Sequence, residues 1–118
     1  MADIPLIRIL AAKEFQDQLR ILAKRYRQIQ NDIQPLLAQL QSGDFLCDRV
    51  AGTGYTVFKV RVKNSDIQKG KSAGYRILYQ VLSPTSVLLL LIYTKSDRSD
   101  VSTEEIHTVI RRFNPDQA

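Results

Sequence analysis

Residues 56–63, Thr-Val-Phe-Lys-Val-Arg-Val-Lys, decide the fold of this chain. Apart from Val57, apolar residues alternate here with cations, and alternation with a period of two predicts a half-buried β-strand. The apolar positions are Phe58, Val60 and Val62, and the cationic positions are Lys59, Arg61 and Lys63. The three cations therefore share one face, each about 6.6 Å from the next.

The residues after this strand predict two more strands and a helix. Asn64 to Ala73 is a polar loop, and Gly74 opens a strand over Tyr75 to Leu82. A hairpin turn at residues 83–86 leads to Val87–Tyr93, whose apolar residues on both faces predict the central, fully covered strand. Residues 102–105, Ser-Thr-Glu-Glu, are a capping box that starts the last helix. Its inward residues are Ile106, Val109, Ile110 and Phe113.

The first half of the chain predicts an edge strand and two helices. Residues 4–10 form a short strand, placed at a sheet edge because Pro5 donates no hydrogen bond. Apolar residues then recur at helical spacing over residues 15–40. A single helix of about thirty residues would be about 45 Å long, which is too long for this domain. We therefore expect two helices, with the break either at Pro35 or in the basic cluster at residues 24–27, and a C-terminal cap at Gly43.

These elements predict one α+β domain over residues 1–118, with a mostly antiparallel sheet. The single cysteine, Cys47, excludes an internal disulfide and a cysteine-based metal site. No signal peptide is evident, and the longest apolar run is too short to span a bilayer. We expect a cytoplasmic protein.

The charge of the chain is concentrated in one segment. The net charge is +5, and residues 59–76 alone contain six basic residues against one acid, Asp66. The basic residues are Lys59, Arg61, Lys63, Lys69, Lys71 and Arg76, and Lys95 and Arg98 follow the apolar strand. Such a patch on a neutral body suits a polyanion such as nucleic acid, although it could also be a solvated basic edge.

The residues of this patch favour metal-free RNA cleavage if the protein is an enzyme. We expect His107, the only histidine, to be a solvated helix residue away from the basic face, and the basic segment lacks paired carboxylates for a metal. RNA supplies its own nucleophile, the 2′-hydroxyl, and arginine forks can stabilise the reacting phosphate. Lys59 is the candidate base, because neighbouring cations disfavour the charged form of a lysine. The alternative is that these cations only solvate the outer face of the strand.

Three segments resemble the RelE/ParE superfamily of bacterial toxins, and more closely its RelE/HigB side. They are Phe-Lys-Val-Arg-Val at residues 58–62, Gly-Lys-Ser-Ala-Gly-Tyr-Arg-Ile-Leu-Tyr at 70–79 and Leu-Leu-Ile-Tyr-Thr-Lys-Ser-Asp at 90–97. The resemblance implies a RelE-like fold with a helix hairpin, which favours the helix break near residues 23–26. It also implies the toxin of a type II toxin–antitoxin system, an mRNA interferase that cuts mRNA on the ribosome, inhibits translation and is silenced by a cognate antitoxin.

The resemblance also implies roles for individual residues. Matched by position, the catalytic residues are Lys59, Arg61 and Arg76, with no cofactor or metal. The resemblance and the basic patch together give the predicted RNA-binding residues, which are Lys63, Lys69, Lys71, Tyr93, Lys95 and Arg98. The sequence departs from RelE at Ser102, where a base-stacking tyrosine is expected, so that Tyr93 or Tyr75 would have to replace it. A ParE-like inhibitor of DNA gyrase without catalysis, or an inactive relic that binds antitoxin, are the alternative functions.

Overall fold

The structure, a computed structural model, describes residues 6–45, 48–66 and 74–113. Within these ranges the chain forms five strands and three helices. In chain order they are β1 (Arg8–Ala11), α1 (Lys13–Arg25), α2 (Ile29–Gln41), β2 (Asp48–Arg49), β3 (Val57–Val62), β4 (Tyr75–Ser83), β5 (Ser86–Thr94) and α3 (Thr103–Phe113). The α+β class agrees with the sequence prediction, and so does the order of elements except for the short strand β2, which was not predicted.

The strands form one sheet in the order β1-β5-β4-β3-β2. β1 runs parallel to β5, and the other three pairings are antiparallel. β1 lies at an edge, as predicted, but begins at Arg8, because the Ile7 N–H bonds to Gln41 O at the end of α2 instead. Pro5, on which that prediction depended, lies outside the described residues.

β5 is covered on both faces, as predicted, but β4 rather than β5 is the middle strand. The helix hairpin packs on one face of β5, and α3 packs on the other. A continuous apolar run indicates that both faces of a strand are covered, but it does not indicate how many strands lie on each side of that strand. The sequence prediction of a central strand was wrong on that point.

The helix break falls at Tyr26–Gln28, in the basic cluster and not at Pro35. Tyr26 has an extended backbone, with φ −127° and ψ 99°, which ends α1. Pro35 lies inside α2 on its exposed side. Gly43 ends the hairpin as predicted: its φ is +86°, and the N–H groups of Gly43 and Asp44 bond to Leu40 O and Gln39 O.

The period of two sorts the strand residues into two cores, one on each face of the sheet. Tyr75, Ile77 and Tyr79 of β4 pack against the helix hairpin, whereas Leu78 lies under α3. Val57, which departs from the alternation of β3, is fully buried on the α3 face. α3 therefore covers the start of β3 at Val57. The cations of β3 come later in the strand, where α3 no longer covers this face.

A close backbone contact fixes the start of β4. A Cβ at Gly74 would lie 2.2 Å from Val62 O, so only glycine fits where β4 begins against the end of β3. Gly74 O also accepts the Lys95 N–H, which joins the loop after β5 to the same point. In the part of the chain that the structure describes, no helix combines the length and apolar character needed to cross a membrane.

Candidate nucleic-acid interface

The register of β3 against β4 places two arginines side by side on the α3 face of the sheet. Arg61 is directly opposite Arg76, and two residues earlier Lys59 is opposite Leu78. Like charges directly opposite each other are destabilising in a sheet, so the pair is well suited to an anion placed between or above them. Lys59, Arg61 and Arg76 together are called the cationic row below.

Arg76 is buried, with 6% of its surface exposed, whereas Arg61 is exposed. The Arg76 guanidinium turns back to the start of its own strand, where Nη1 lies 3.5 Å from Gly74 O and 3.4 Å from Tyr75 O. Its side chain therefore does not face solvent, although Arg76 lies on the same face of the sheet as Arg61.

Tyr93 of β5 extends the arginine pair, because it lies directly opposite Arg76. Its ring is buried, with the Arg98 guanidinium 5.5 Å from the ring centroid. Burial raises the pKa of the Tyr93 phenol, and nearby Asp100 adds to this, while Arg76 and Arg98 oppose it. Among the described residues, none hydrogen-bonds the Tyr93 hydroxyl. The ring is thus enclosed beneath Arg98 and offers no open stacking surface in this conformation.

Arg98 is held by an acid of α3. Its Nη1 donates to Glu105 Oε2 at 3.1 Å, its Nη2 donates to Glu105 Oε1 at 2.6 Å, and its Nε donates to Asp100 O at 3.3 Å. The hydrogen bonds that Arg98 donates to Glu105 raise the pKa of Arg98 above its usual value. Arg98 therefore joins the loop after β5 to α3, and RNA would have to replace Glu105 to use the same fork.

Lys59 has an acidic neighbour that the sequence did not identify. Its Nζ lies 3.5 Å from Asp100 Oδ1, and about a third of the lysine side chain is exposed. The Val101 N–H, which Asp100 Oδ1 accepts at 2.8 Å, is the largest influence that lowers the pKa of Asp100, and the charges of Lys59 and Arg98 add to it. The cationic row is therefore bordered by Asp100 and Glu105.

Two of the other predicted RNA-binding residues lie just beyond the ends of strands. Lys63 follows the end of β3 and is exposed, and Lys95 is exposed after β5. Lys69 and Lys71 lie outside the described residues. Tyr75 faces the helix hairpin, where its ring packs edge-to-face against the Tyr26 ring, with the two ring centroids 5.8 Å apart. Tyr75 cannot replace the expected stacking tyrosine, because it lies on the opposite face from the cationic row.

The turn of the helix hairpin holds both loops that border this face. Asp32 Oδ2 accepts the Ser65 N–H, and the Gln28 N–H donates to Asp66 Oδ2, both at 2.9 Å. On the other side, Arg25 Nη1 donates to Asp97 Oδ2 at 2.9 Å. The hairpin thus positions the loops before β4 and after β5.

His107 has a packing role. Its Nε2 forms a hydrogen bond with Thr53 O. Its ring packs edge-to-face against the Tyr55 ring, with the two ring centroids 5.9 Å apart. The expectation of a solvated helix residue away from the basic face was wrong, because His107 bonds to Thr53 and its helix packs on the same face of the sheet as the cationic row. No group of three or more histidine, cysteine or acidic side chains that could hold a metal lies together in residues 6–45, 48–66 and 74–113.

Comparison with solved structures shows which fold this is. The free-state structure of a mutant of the E. coli toxin RelE, with two arginines replaced by alanine, matches this chain with a TM-score of 0.56. The match covers 92% of this chain and 98% of that chain, at 16% sequence identity. This chain has the RelE toxin fold. No family model matches it, and no curated protein is significantly similar to it in sequence.

Within the RelE fold, Ser102 has a local structural role. Its Oγ accepts the Glu105 N–H at 3.1 Å, which confirms the predicted cap of α3. The second half of the capping box is absent, because the Glu105 carboxylate binds Arg98 instead. Asp100 and Glu105 are the site residues that sequence reasoning missed: Glu105 was interpreted only as part of the capping box, and no motif in the sequence pointed to Asp100.

Proposed function

We propose that this protein is the toxin of a type II toxin–antitoxin system and acts as a metal-independent, ribosome-dependent mRNA endoribonuclease. One observation carries the proposal: β3 and β4 bring Lys59, Arg61 and Arg76 together on one face of a RelE-like sheet. Three cations at this spacing fit the phosphodiester backbone of RNA. The proposed partners are a cognate antitoxin, the ribosome and mRNA, and the proposed location is the cytoplasm.

The proposed reaction uses the RNA's own 2′-hydroxyl. Its oxygen gives up its proton to water and bonds to the adjacent phosphorus, and the bond from that phosphorus to the 5′-oxygen of the next nucleotide breaks, which leaves a 2′,3′-cyclic phosphate and a 5′-oxygen that takes up a proton. Negative charge builds up on the phosphate oxygens in between. The guanidinium groups of Arg61 and Arg76 stabilise this charge, because planar forks with fixed donors need little reorganisation as the charge develops.

Lys59 is the proposed proton-transfer group. The lysine contacts the Asp100 carboxylate, and an ion pair uses the ammonium form, which can give a proton to the leaving 5′-oxygen. For the base role predicted from sequence, Lys59 would first have to leave Asp100 and lose its proton. The cations at Lys63, Lys69, Lys71 and Lys95 are proposed to contact the RNA backbone further from the reacting phosphate.

The test is inducible expression in a heterologous bacterium, with primer extension on a translated reporter mRNA and on the same message without a start codon. We expect in-frame cuts only in the translated message, and at least a 100-fold loss of cutting in Arg61→Ala, the scale of losing one transition-state donor. Lys59→Ala should lose cutting to a similar degree. Lys13→Ala is the matched control, since it removes an exposed cation of α1 that does not belong to the cationic row.

Other outcomes would overturn the proposal. Growth arrest without mRNA cuts would indicate a protein target, as in the ParE-like alternative. The absence of arrest at full expression would indicate an inactive relic. Full cutting by Arg61→Ala would show that the reaction takes place elsewhere.

A further inference from the structure

A second feature of the α3 face is a cavity of about 400 Å³ between β2, β3 and the start of α3. Its floor is apolar, because Leu78 of β4 and Ile106 of α3 line it and both are buried. Val101 adds a further apolar wall. A flat, mostly apolar ring has the shape and surface that such a floor accommodates.

The rim of the cavity is polar. Asp48, Lys59 and Asp100 line it, and Thr103 adds a hydroxyl. Asp48 is directly opposite Lys59 in the register of β2 and β3, so the two side chains share a face. Arg49 also lines the cavity, but it is opposite Phe58, so the strand period directs its side chain to the other face. On the face of Lys59 the rim thus presents two carboxylates, one ammonium and one hydroxyl.

The cavity adjoins the cationic row. Lys59 belongs to both, and Arg61 follows two residues later on the same face of β3, about 6.7 Å away. A nucleotide whose phosphate lies at Arg61 and Arg76 can therefore reach the cavity with its base. The two carboxylates would repel a second phosphate at this place, so the cavity suits a base and not the backbone.

We propose that this cavity is a nucleobase pocket that prefers bases with an exocyclic amine, namely guanine, adenine and cytosine, over uracil. The inference rests on the proposed function, since it requires that the cationic row binds RNA. The Asp48 and Asp100 carboxylates accept from the amine, and the Lys59 ammonium donates to a neighbouring ring acceptor. Uracil carries two carbonyl acceptors and one N–H on the same edge, which leaves a carboxylate without a donor.

The test uses the full chain and short RNAs that cannot be cleaved. Hexamers of 2′-O-methyl cytidine and of 2′-O-methyl uridine are titrated at low salt and neutral pH, with binding followed by fluorescence anisotropy. We expect the cytidine hexamer to bind about tenfold more tightly, the scale of discrimination by a paired base edge. A uridine hexamer with one central guanine should likewise bind more tightly than one with inosine, which lacks the amine.

Two variants assign the preference to the cavity. Asp100→Asn should reduce the cytidine-to-uridine ratio to less than twofold, and Asp48→Asn should reduce it as well. Glu104→Gln is the matched control, because it removes the same charge from an exposed residue of α3 that does not line the cavity. Its ratio should equal that of the wild type.

The remaining outcomes separate this inference from the proposed function. Equal binding of both hexamers by the wild type, with weaker binding of both by Arg61→Ala, would overturn the pocket and leave the RNA site intact. A ratio unchanged in both Asp variants would also overturn the pocket. Binding that Arg61→Ala does not weaken, or no binding by the wild type, would overturn the RNA site and the pocket with it.

Discussion

Arg76 shows that the burial of a side chain decides what can be concluded from its substitution. Its side chain is buried, so that Arg76→Ala would remove a charge and leave an unfilled volume together. Loss of activity in that variant could not be assigned to either effect. Arg61 has the same charge, lies directly opposite in the sheet and is exposed. It is therefore the residue at which chemistry and stability can be separated.

Tyr75 gives a pH-dependent prediction at the same scale. Burial raises the pKa of the Tyr75 phenol above its usual value, and the charges of Asp32 and Asp66 raise it further. The folded chain therefore keeps the neutral phenol above pH 10, where the unfolded chain releases the proton. Because the pKa of the phenol is higher in the folded state, the contribution of Tyr75 to the free energy of unfolding is fully present below the pKa that the phenol has in the unfolded chain. It falls as the pH rises above that value, by about 1.4 kcal/mol at pH 11.

We expect Tyr75→Phe to lose less stability than the wild type between pH 8 and pH 11, measured by urea unfolding. At pH 7 the variant should be within about 1 kcal/mol of the wild type, since no described residue hydrogen-bonds the hydroxyl. An alkaline loss of equal size in both proteins would contradict a neutral buried phenol at Tyr75.

At the scale of elements, α2 contains a proline where a helix interior normally has none. Pro35 is the seventh residue of α2 and lacks the N–H that would bond to the Asn31 carbonyl. Its ring is on the exposed side, and the buried residues Ile29, Ile33, Leu36 and Leu40 attach the helix to the core. Tertiary packing thus keeps the helix continuous through a residue that sequence rules treat as a break.

Pro35→Ala should therefore stabilise the protein. An interior proline costs about 3 kcal/mol relative to alanine, offset by about 1 kcal/mol from the stiffer unfolded chain. We expect a net gain of about 1–2 kcal/mol in the free energy of unfolding, measured in urea. Gln34→Ala, at the neighbouring exposed position, is the control and should change stability by less than about 0.5 kcal/mol. A loss of stability in Pro35→Ala would show that the ring packs usefully against the adjacent sheet.

The elements that the sequence predicted correctly are those specified by local patterns. Alternation located β3, the Ser102 cap located α3, and Gly43 marked the end of α2. The Glu105 carboxylate could not be assigned in this way, because its partner depends on the loop that brings Arg98 over α3. Asp100 was missed for the same reason, since its contact with Lys59 joins residues 41 positions apart in the chain.

The helix hairpin shows the same limit between elements. Arg25 meets Asp97, and Asp32 meets the Ser65 N–H, through contacts between residues 72 and 33 positions apart. No periodicity in the sequence encodes such pairs. Their consequence is that the hairpin, on one face of the sheet, fixes the loops that border the cationic row on the other.

For the whole molecule, the relevant quantity is how many phosphates its charge can engage at once. All of the net charge of +5 is accounted for by residues 59–76, and the remaining residues balance. Within the described part of that segment, Lys59, Arg61 and Arg76 lie together on one face. If these three residues bind the RNA, they neutralise about three of its phosphates.

The salt dependence of RNA binding measures this number directly. For single-stranded RNA the slope of log K against log salt is about −0.7 for each neutralised phosphate, so three contacts predict a slope of about −2. Contributions from all four further cations of the proposal, Lys63, Lys69, Lys71 and Lys95, would increase its magnitude to about 5, a slope of about −5. Arg61→Ala should reduce the magnitude by about 0.7, whereas Lys13→Ala, on the outer side of α1, should leave it unchanged. A slope near zero would mean that the cationic row does not bind a polyanion, because counterion release follows from charge neutralisation whatever the sequence of the RNA.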